Sequence, residues 1–344
     1  MTDQQWIDLK AVIRGEILSP LPVGFIIDSP WLPNWYGMDI LDYFSSDVLW
    51  LEANLKAIKS FPDAIFLPGF WAEYGMCSEP SAFGARPAFP QNEFPHAFPS
   101  ISSPVEIASL QVPDPVKDGL GPLMLNRLKL TRPAIEKAGH RIRFSVSRGP
   151  LNIASYLMGA TEFMMAIMTH PAEVHLLLRK ITDYLLGFHR HQAKLFPSIE
   201  GIMMLDDIIG FISEEQFVEF GLPYFKELYD CGMTVKFLHN DAGCMESVHY
   251  LPEMGVNLFN MGFDTDLNQL KELTEFRVTM LGNIPPRDVL ARGTAGQVKN
   301  ATLQLIKGLK DPSRVIFSCG GGMPPGVSSE NLAIFMETVK RFTP

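Results

Sequence analysis

The segment Thr234-Val-Lys-Phe-Leu-His-Asn-Asp-Ala-Gly-Cys244 joins an apolar, strand-like run to a group of ligand-type side chains. The residues at its start are typical of a strand that is covered on both faces. His239, Asp241 and Cys244 then follow around a glycine that permits a turn, and all three residue types bind metals in proteins. The segment therefore predicts a buried strand that presents functional groups at its C-terminal end.

A second segment ends in the same manner. The run Val315–Ser318 is apolar, and Cys319 and three glycines at 320–322 follow it. Two strands that each deliver a ligand-type residue at the C-terminal end suggest one shared site. The rest of the chain is expected to bring these two strand ends together.

Roughly eight short apolar runs alternate with helical patterns along the chain, which is typical of a parallel sheet built from βα units. The predicted strands are Pro22–Asp28, Asp63–Pro68, Arg141–Val146, Gly201–Asp206, the run from Thr234, Val256–Met261, Val278–Leu281 and Val315–Ser318. Eight such units predict a (β/α)8 TIM barrel, whose strand C-termini carry the active site. A doubly wound open sheet is the alternative, but the Gly-x-Gly-x-x-Gly turn of a dinucleotide site follows no early strand.

The length and composition allow a large core. The chain has 344 residues, of which 47% are apolar and 19% charged, so it could form one large domain or two. Together with the strand pattern, this favours a single TIM-barrel domain over residues 1–344. Residues 79–117, after the second strand, are rich in proline, phenylalanine and serine, and predict an extended lid or insertion loop.

Charge and cysteine usage exclude several classes of protein. A net charge of −9 argues against nucleic-acid binding, which needs a basic surface. The most apolar stretch, Ile153–Leu178, contains two glutamates and two histidines and is too polar for a membrane span. Four scattered cysteines fit a reducing compartment, and the acidic N-terminus lacks the apolar region of a signal peptide. These features predict a cytoplasmic protein.

Four stretches carry a resemblance to a known family. They are Gly149-Pro-Leu-Asn-Ile-Ala-Ser-Tyr-Leu-Met158, Asp206-Asp207, Leu281-Gly-Asn-Ile284, and Ser318-Cys-Gly-Gly-Gly-Met-Pro-Pro325 with Glu330-Asn331. Through them the chain resembles the uroporphyrinogen decarboxylase superfamily over most of residues 140–344, and more weakly over residues 1–75. The resemblance implies a distorted TIM barrel, which agrees with the number of predicted strands.

The family contains two chemistries, and one early loop distinguishes them. Its decarboxylases carry an arginine-rich segment that grips the carboxylates of a tetrapyrrole. The matching loop here, Asp28-Ser-Pro-Trp-Leu-Pro-Asn-Trp-Tyr36, contains no arginine or lysine. Because a substrate with many carboxylates needs several cations, the resemblance favours the other branch, the cobalamin-dependent methyltransferases.

That branch implies a zinc ion held by His-x-Cys after the fifth strand and by a cysteine after the eighth. His239 and Cys319 stand at those positions, Asp241 replaces the middle cysteine, and Cys244 lies three residues further on. The implied metal ligands are therefore His239, Asp241 and Cys319. A carboxylate is a harder donor than a thiolate and would suit the polarisation of an oxygen, which leaves methyl ether donors and folate-type acceptors open.

Further polar residues follow the predicted strands. Glu73 is expected to be a further metal ligand or a substrate contact, with a solvated loop acid as the alternative. Asp206 and Asp207 are adjacent, so at most one points into the barrel, and Asp206 is the candidate for handling a proton or anchoring a substrate. Arg148 is a candidate for holding a carboxylate or phosphate. Asp264 and Asn283, which end the sixth and seventh strands, complete the predicted substrate contacts.

The loops after the first two strands are aromatic. If the barrel is right, these residues lie on the rim of the active site, where they stack on a planar substrate or pack against a partner; an ordinary hydrophobic lid is the alternative. The substrate contacts predicted among them are Trp31, Tyr36, Trp71 and Tyr74.

The sequence thus predicts a zinc-dependent methyltransferase, with His239, Asp206 and Glu73 in catalytic roles. It would move a methyl group between a separate corrinoid protein and a small methylated substrate, such as a methoxylated aromatic compound, or a thiol or tetrahydrofolate acceptor. The partner would carry the methylcobalamin, because the chain lacks the Asp-x-His-x-x-Gly motif of a corrinoid-binding domain. Without a metal, His239 would act as a general acid. The alternatives are a metal-free decarboxylase and a non-catalytic binding protein; a homodimer is common among soluble enzymes.

Overall fold

Eight parallel strands alternate with helices in a computed structural model, which describes residues 1–27 and 30–342. The barrel strands are β1 (Gly24–Ile26), β2 (Ile65–Leu67), β5 (Phe144–Arg148), β6 (Gly201–Leu205), β7 (Val235–Asn240), β8 (Leu258–Met261), β9 (Thr279–Ile284) and β10 (Val315–Cys319). A two-residue hairpin, β3 (Pro87–Ala88) and β4 (His96–Ala97), lies between the second and third of them. Each predicted strand is present, and the predicted TIM-barrel architecture is confirmed.

The strands form a barrel with one seam. Six of them pair in the order β10-β9-β8-β7-β6-β5, and β1 pairs with β2. A bridge between Val23 and Phe317 joins the two sheets. Between β2 and β5 the described residues form no strand pairing, although Ile65 and Phe144, one from each strand, belong to the same buried cluster.

Hydrophobic side chains divide into an inner and an outer layer. The inner cluster fills the barrel with residues such as Val146, Phe237 and Leu281, and the outer cluster lies between the strands and the helices. The first helix belongs to the inner cluster through Trp6, whose ring meets that of Phe144 edge-on at 5.4 Å. This helix therefore closes the N-terminal end of the barrel and leaves the C-terminal end as the mouth.

Fourteen helices surround and connect the strands in the described part of the chain. They are α1 (Asp3–Arg14), α2 (Trp31–Tyr36), α3 (Ile40–Ser45), α4 (Asp47–Ser60), α5 (Gly121–Lys137), α6 (Pro150–Met158), α7 (Ala160–Thr169), α8 (Pro171–Leu195), α9 (Glu214–Phe220), α10 (Leu222–Tyr229), α11 (Leu251–Met254), α12 (Leu267–Leu273), α13 (Ala295–Gly308) and α14 (Ser329–Lys340). Helices α1, α9 and α13 each begin with a capping box, in which a serine or threonine and a glutamine satisfy backbone N–H groups.

The predicted lid segment, residues 79–117, packs against neighbouring helices. Its backbone N–H groups at Ser100 and Ile101 donate to the carbonyl of Leu157 on α6. From α8, the ammonium of Lys180 donates to carbonyls of Ile107, Ala108 and Leu110. The segment contains the hairpin and two short 3-10 helices, Pro80–Phe83 and Pro104–Ser109. It therefore has its own local structure and fixed contacts.

No single helix of the described residues is long and apolar enough to cross a lipid bilayer. The consecutive helices α6 and α7 reach that length and hydropathy only together, and they meet at an angle of 106°.

Candidate active site

Five polar side chains point into the barrel at its mouth. Side chains alternate between the two faces of a strand, and the residues two positions before these five belong to the inner cluster. The five are Arg148 on β5, His239 on β7, Asn260 on β8, Asn283 on β9 and Ser318 on β10. Ser318 is fully buried, and its hydroxyl has no hydrogen-bond partner among the described residues.

A hydrogen-bond chain orients His239. The amide nitrogen of Asn260 donates to the carbonyl of Leu281 at 2.7 Å, which fixes its oxygen as the acceptor. That oxygen lies 2.8 Å from Nδ1 of His239, so Nδ1 is the donor of this hydrogen bond. Nε2 faces Oδ1 of Asp241 at 3.4 Å. This nitrogen is the one that can exchange a proton or bind a cation at the mouth.

The carboxylate of Asp241 lies against the glycine loop after β10. A Cβ atom added to Gly321 would come within 2.1 Å of Oδ1 of Asp241, which no real side chain could tolerate. Gly321 also has a φ of 71°, a conformation that favours glycine. On the opposite side, the backbone N–H of Asp241 donates to Oδ1 of Asp207 at 2.8 Å. The loops after β6, β7 and β10 therefore meet around Asp241.

Cys319 does not join His239 and Asp241. It is fully buried and belongs, with Val315 and Phe317, to the outer hydrophobic layer. By contrast, the 3.4 Å between His239 and Asp241 is close to the separation of about 3.3 Å between two ligands of a tetrahedral zinc ion. Within residues 1–27 and 30–342, no group of three or more His, Cys, Asp or Glu side chains could hold a metal ion. Two of the three predicted ligands thus converge, and the third, Cys319, lies in the outer layer.

Arg148 lies between two buried glutamates. Its guanidinium contacts Oε2 of Glu73 at 2.5 Å, and its backbone N–H donates to Oε1 of Glu79 at 2.9 Å. Burial acts against the charge of Arg148, but the carboxylate of Glu73 and the phenol of Tyr156 raise its pKa above the ordinary value. Glu73 therefore has a cationic partner inside the protein and is not the solvated loop acid of the alternative interpretation.

Asp206 is directed at a helix. It is fully buried, and its Oδ2 accepts hydrogen bonds from the backbone N–H groups of Leu151 at 2.9 Å and Asn152 at 3.1 Å, at the start of α6. Burial raises its pKa to about 8, while these N–H groups act in the opposite direction. Through these two accepted hydrogen bonds, the side chain of Asp206 caps the N-terminus of α6. These contacts do not support the proton-handling role expected for Asp206, which stays a prediction.

The strand ends after β8 and β9 are joined by Asn283. Its amide nitrogen donates to the carbonyl of Thr265 at 2.6 Å, in the loop that follows β8. Asp264 is exposed in that same loop, whereas Cys244 is buried and burial raises its pKa to about 11. Asn283 and Asp264 thus both lie at the mouth, and Cys244 has the character of a structural cysteine.

The predicted aromatic contacts are mostly part of the core. Trp31 has no exposed surface, and its indole N–H donates to the carbonyl of Val327. Trp71 is buried in the inner cluster and donates to the carbonyl of Ile27 at 2.8 Å. The ring of Tyr36 is covered by the ammonium of Lys56, at 4.7 Å from its centroid. Tyr74 is half-buried and lies beside the guanidinium of Arg127 at 5.2 Å. These four rings therefore do not form the rim of free aromatic side chains that the sequence predicts.

Sequence reasoning missed four residues of this region. Asn260 follows the same alternation as His239, so the period of β8 would have indicated it. Tyr156 lies within a stretch that carries the family resemblance, and burial raises the pKa of its phenol to about 12. Glu79 lies within the predicted lid and Ser318 directly before Cys319, and neither has a sequence signal that marks it as buried.

One family of known proteins matches this chain over almost its whole length. The family model of uroporphyrinogen decarboxylase (URO-D) matches residues 10–342, which is nearly the whole chain. The chain belongs to the uroporphyrinogen decarboxylase family. Among its relatives, the uroporphyrinogen decarboxylase of Aeromonas salmonicida is 23% identical over 304 residues, 84% of this chain and 81% of the relative. That of Chlorobium phaeovibrioides is 26% identical over 253 residues, 70% of each chain.

A solved structure of the same fold is known. A methyltransferase from Methanosarcina mazei superposes with a TM-score of 0.81 and covers 97% of both chains, at 18% sequence identity. The likeness confirms the barrel over the whole length. Together, the uroporphyrinogen decarboxylase family and its fold indicate an enzyme with its site at the barrel mouth.

Proposed function

We propose that the chain is a methyltransferase that moves a methyl group between a small substrate at the barrel mouth and a corrinoid carried by a separate protein. The observation that carries the proposal is the charge of the mouth. Five of its eight loops, those after β1, β6, β7, β8 and β10, contain no lysine or arginine. The loops after β6, β7 and β8 instead contribute Asp207, Asp241 and Asp264.

The remaining mouth loops and strand ends carry five cations. They are Arg86 and Lys117 after β2, Arg148 at the end of β5, and Arg287 and Arg292 after β9. Of these, Arg148 points into the barrel and is paired with Glu73 at 2.5 Å. Since binding many carboxylates requires several unpaired cations, this mouth favours an uncharged or cationic substrate over a tetrapyrrole. That argues against the decarboxylase alternative, although the relatives in sequence are named for it.

His239 is the residue proposed to touch the reacting atoms. A methyl ether that loses its methyl group must gain a proton on oxygen, and a thiol or amine that receives one must lose a proton. Nε2 of His239 faces the mouth with its tautomer set by Asn260, so it can exchange that proton. Asn283, which is tied to the loop after β8, is placed to orient the substrate. The corrinoid supplies the methyl-accepting or methyl-donating metal when the partner docks.

The proposal also includes a zinc ion bound at the mouth and tetrahydrofolate as one of the methyl acceptors. His239 and Asp241 offer two donors with the spacing of zinc ligands, so a zinc ion there would need further ligands from the substrate, from solvent or from a rearranged glycine loop. When bound, such an ion would act as a Lewis acid toward the substrate heteroatom.

The test is a methyl-transfer assay with free cobalamins in place of the partner. Reduced cobalamin would be incubated with methoxylated aromatic compounds, and methylcobalamin with thiols or tetrahydrofolate, while the visible absorbance of the corrinoid is followed. We expect transfer with at least one pair, lost in the His239→Asn protein. A matched control is His249→Asn, since His249 pairs with Glu214 at 3.1 Å, away from His239.

Decarboxylation of uroporphyrinogen would be measured with the same preparations. We expect none, because five of the eight mouth loops contain no lysine or arginine and the inward-pointing Arg148 is paired with Glu73. The proposal would be rejected in favour of the decarboxylase alternative if the wild-type protein decarboxylates uroporphyrinogen and transfers no methyl group to or from any corrinoid.

A further inference from the structure

Glu79 has one satisfied and one unsatisfied oxygen. The residue is 3% exposed, and its Oε1 accepts the backbone N–H of Arg148 at 2.9 Å. Its Oε2 is fully buried and has no hydrogen-bond partner among the described residues. A buried, ionised carboxylate oxygen without a donor is costly, whereas a protonated one becomes a donor itself.

The charges around Glu79 do not balance if both glutamates are ionised. Arg148 contacts both members of this pair, and its guanidinium contacts Glu73 at 2.5 Å. Glu79 accepts the backbone N–H of the same arginine instead of its guanidinium. Two buried carboxylates that share one cation favour a state in which one of them holds a proton. The geometry identifies Glu79 as that carboxyl, because the guanidinium contacts Glu73.

A small cavity lies between the two carboxyls. It has a volume of about 10 Å³ and is lined by Glu73, Glu79, Arg148, Trp71 and Met124 among others. This is about the space that one water molecule occupies, and the lining offers the polar partners that such a water needs. A water there can accept from Glu79 and donate to Glu73.

The other titratable groups near Glu79 are neutral. The thiol of Cys77, in the same loop, has its pKa raised to about 12, chiefly by burial. Tyr156 on α6 has its pKa raised to about 12, and that of Tyr184 on α8 is raised further, again by burial. Burial also raises the pKa of Glu79, while Arg148 opposes the rise. No neighbour besides Arg148, within the part of the chain that the structure describes, supplies Glu79 with a positive charge.

We propose that Glu79 is a neutral carboxylic acid that shares its proton, through one buried water, with the Glu73–Arg148 ion pair at the barrel mouth. Glu79 does not touch the substrate; it acts through Glu73 and is a positioning residue. Its proton is the store from which the mouth replaces the proton that a reaction consumes, or into which the mouth returns one that it releases.

The proton balance follows from the proposed function, on which this role depends. In demethylation of an ether, the bond between oxygen and methyl breaks with its electron pair left on oxygen. The methyl group goes to the reduced corrinoid, and oxygen takes up one proton. In methylation of a thiol, sulfur loses one proton. Either direction changes the proton count of the mouth by one, which the Glu79–Glu73 pair can absorb.

Infrared spectroscopy tests the protonation of Glu79 without substrate. Protein in which the glutamate carboxyl carbons carry carbon-13 separates the glutamate bands from those of aspartates such as Asp206. We expect the neutral-acid band of one glutamate near neutral pH, absent from the Glu79→Gln protein. The glutamine preserves size and the contact with the N–H of Arg148.

For two further variants, the proposal predicts opposite changes in the same infrared band. Glu73→Gln leaves Arg148 without its counter-ion, so Glu79 should ionise and the band should disappear. Arg148→Met removes the shared cation, so both glutamates should be neutral and the band should grow. A wild-type protein with no such band, or a band that survives in Glu79→Gln, would overturn the proposal, whatever the outcome of the methyl-transfer assay.

The kinetic role is measured separately. We expect Glu79→Gln to reduce kcat about tenfold, with little change in KM, and to alter the pH dependence of kcat, since relayed proton transfer contributes less than a direct catalyst. An unchanged kcat and pH profile in a protein that has lost the band would reject the proton-store role. The band does not depend on methyl transfer, so failure of the proposed function and failure of this inference are distinguishable.

Discussion

The imidazole of His239 and the side-chain amide of Asn260 are joined by a 2.8 Å hydrogen bond inside the barrel. The two residues are direct partners across β7 and β8, and both are buried. Because Asn260 is itself held by the carbonyl of Leu281, the bond sets both the tautomer and the direction of the imidazole. The position of the reactive nitrogen of His239 thus depends on the side chain of Asn260.

Replacing Asn260 should therefore impair His239. We expect Asn260→Ala to lower the methyl-transfer rate by about 10- to 100-fold, the usual effect of removing the residue that orients a functional histidine. The rate would be measured beside the free energy of unfolding. The matched control is Asn257→Ala, at the opposite end of β8, where the asparagine bonds only backbone atoms of Thr234 and Lys236. An equal loss of activity in both variants, after correction for stability, would contradict the orienting role.

The second prediction concerns the contact between Gly321 and Asp241. Gly321→Ala should displace the Asp241 carboxylate, because the new Cβ would lie within 2.1 Å of it. Gly326→Ala is the control: its φ of 92° imposes the same kind of backbone strain, but the nearest atom is 4.0 Å away. We expect both to lose about 1 kcal/mol of stability from the left-handed backbone, and only Gly321→Ala to lose activity. Equal activities would show that the position of Asp241 is unimportant.

The third prediction concerns which side chains bind zinc. The sequence predicts Cys319 as a ligand, whereas the structure places it in the outer layer. We expect zinc affinity, measured by competition with a chromogenic chelator, to fall at least tenfold in His239→Ala and Asp241→Asn. Cys319→Ser should leave it unchanged, because Cys319 packs with Val315 and Phe317 in the outer layer. An equal fall in Cys319→Ser would show that the glycine loop rearranges to bring the thiol to the metal.

The architecture was accessible from the sequence because each strand is a short apolar run that ends on a polar residue or glycine. That pattern depends only on local burial and on the direction of parallel strands. It indicated His239, Asn283 and Asp264, which lie at the C-terminal ends of β7, β9 and β8 or in the loop that follows. It could not give the seam between β2 and β5, which depends on how side chains of distant segments pack.

The side-chain directions were harder to predict. Asp206 and Cys319 both stand at strand ends, where a sequence pattern assigns them to the site, but each continues the outward-facing positions of its strand. Alternation along β6 and β10 would have indicated this: Met204 and Phe317, two residues earlier, belong to the outer cluster. The partner of Arg148 could not be found in this way, because Glu73 and Glu79 come from an irregular loop.

The fourth prediction is that the buried imidazole of His189 makes the free energy of unfolding depend on pH. It is fully buried behind β5, between the hydroxyls of Ser145 at 3.0 Å and Ser147 at 2.9 Å, and burial lowers its pKa from 6.5 to about 3. The unfolded chain therefore binds a proton below pH 6.5 that the folded protein does not. The contribution of neutral His189 to stability is complete above pH 6.5 and is lost as the pH falls toward 3, by at most about 1.4 kcal/mol per pH unit.

Urea unfolding between pH 7.5 and 4.5 measures this effect. In His189→Gln we expect a lower free energy of unfolding near pH 7, from the loss of the two serine contacts, but a shallower decrease on acidification than in the wild type. His191→Gln, on the half-exposed side of the same helix, controls for the removal of a histidine and should keep the wild-type slope. If the free energy of unfolding falls with pH equally steeply in His189→Gln and in the wild type, other groups govern the acid sensitivity. One such group is His140, whose Nδ1 is buried and whose pKa is lowered by burial.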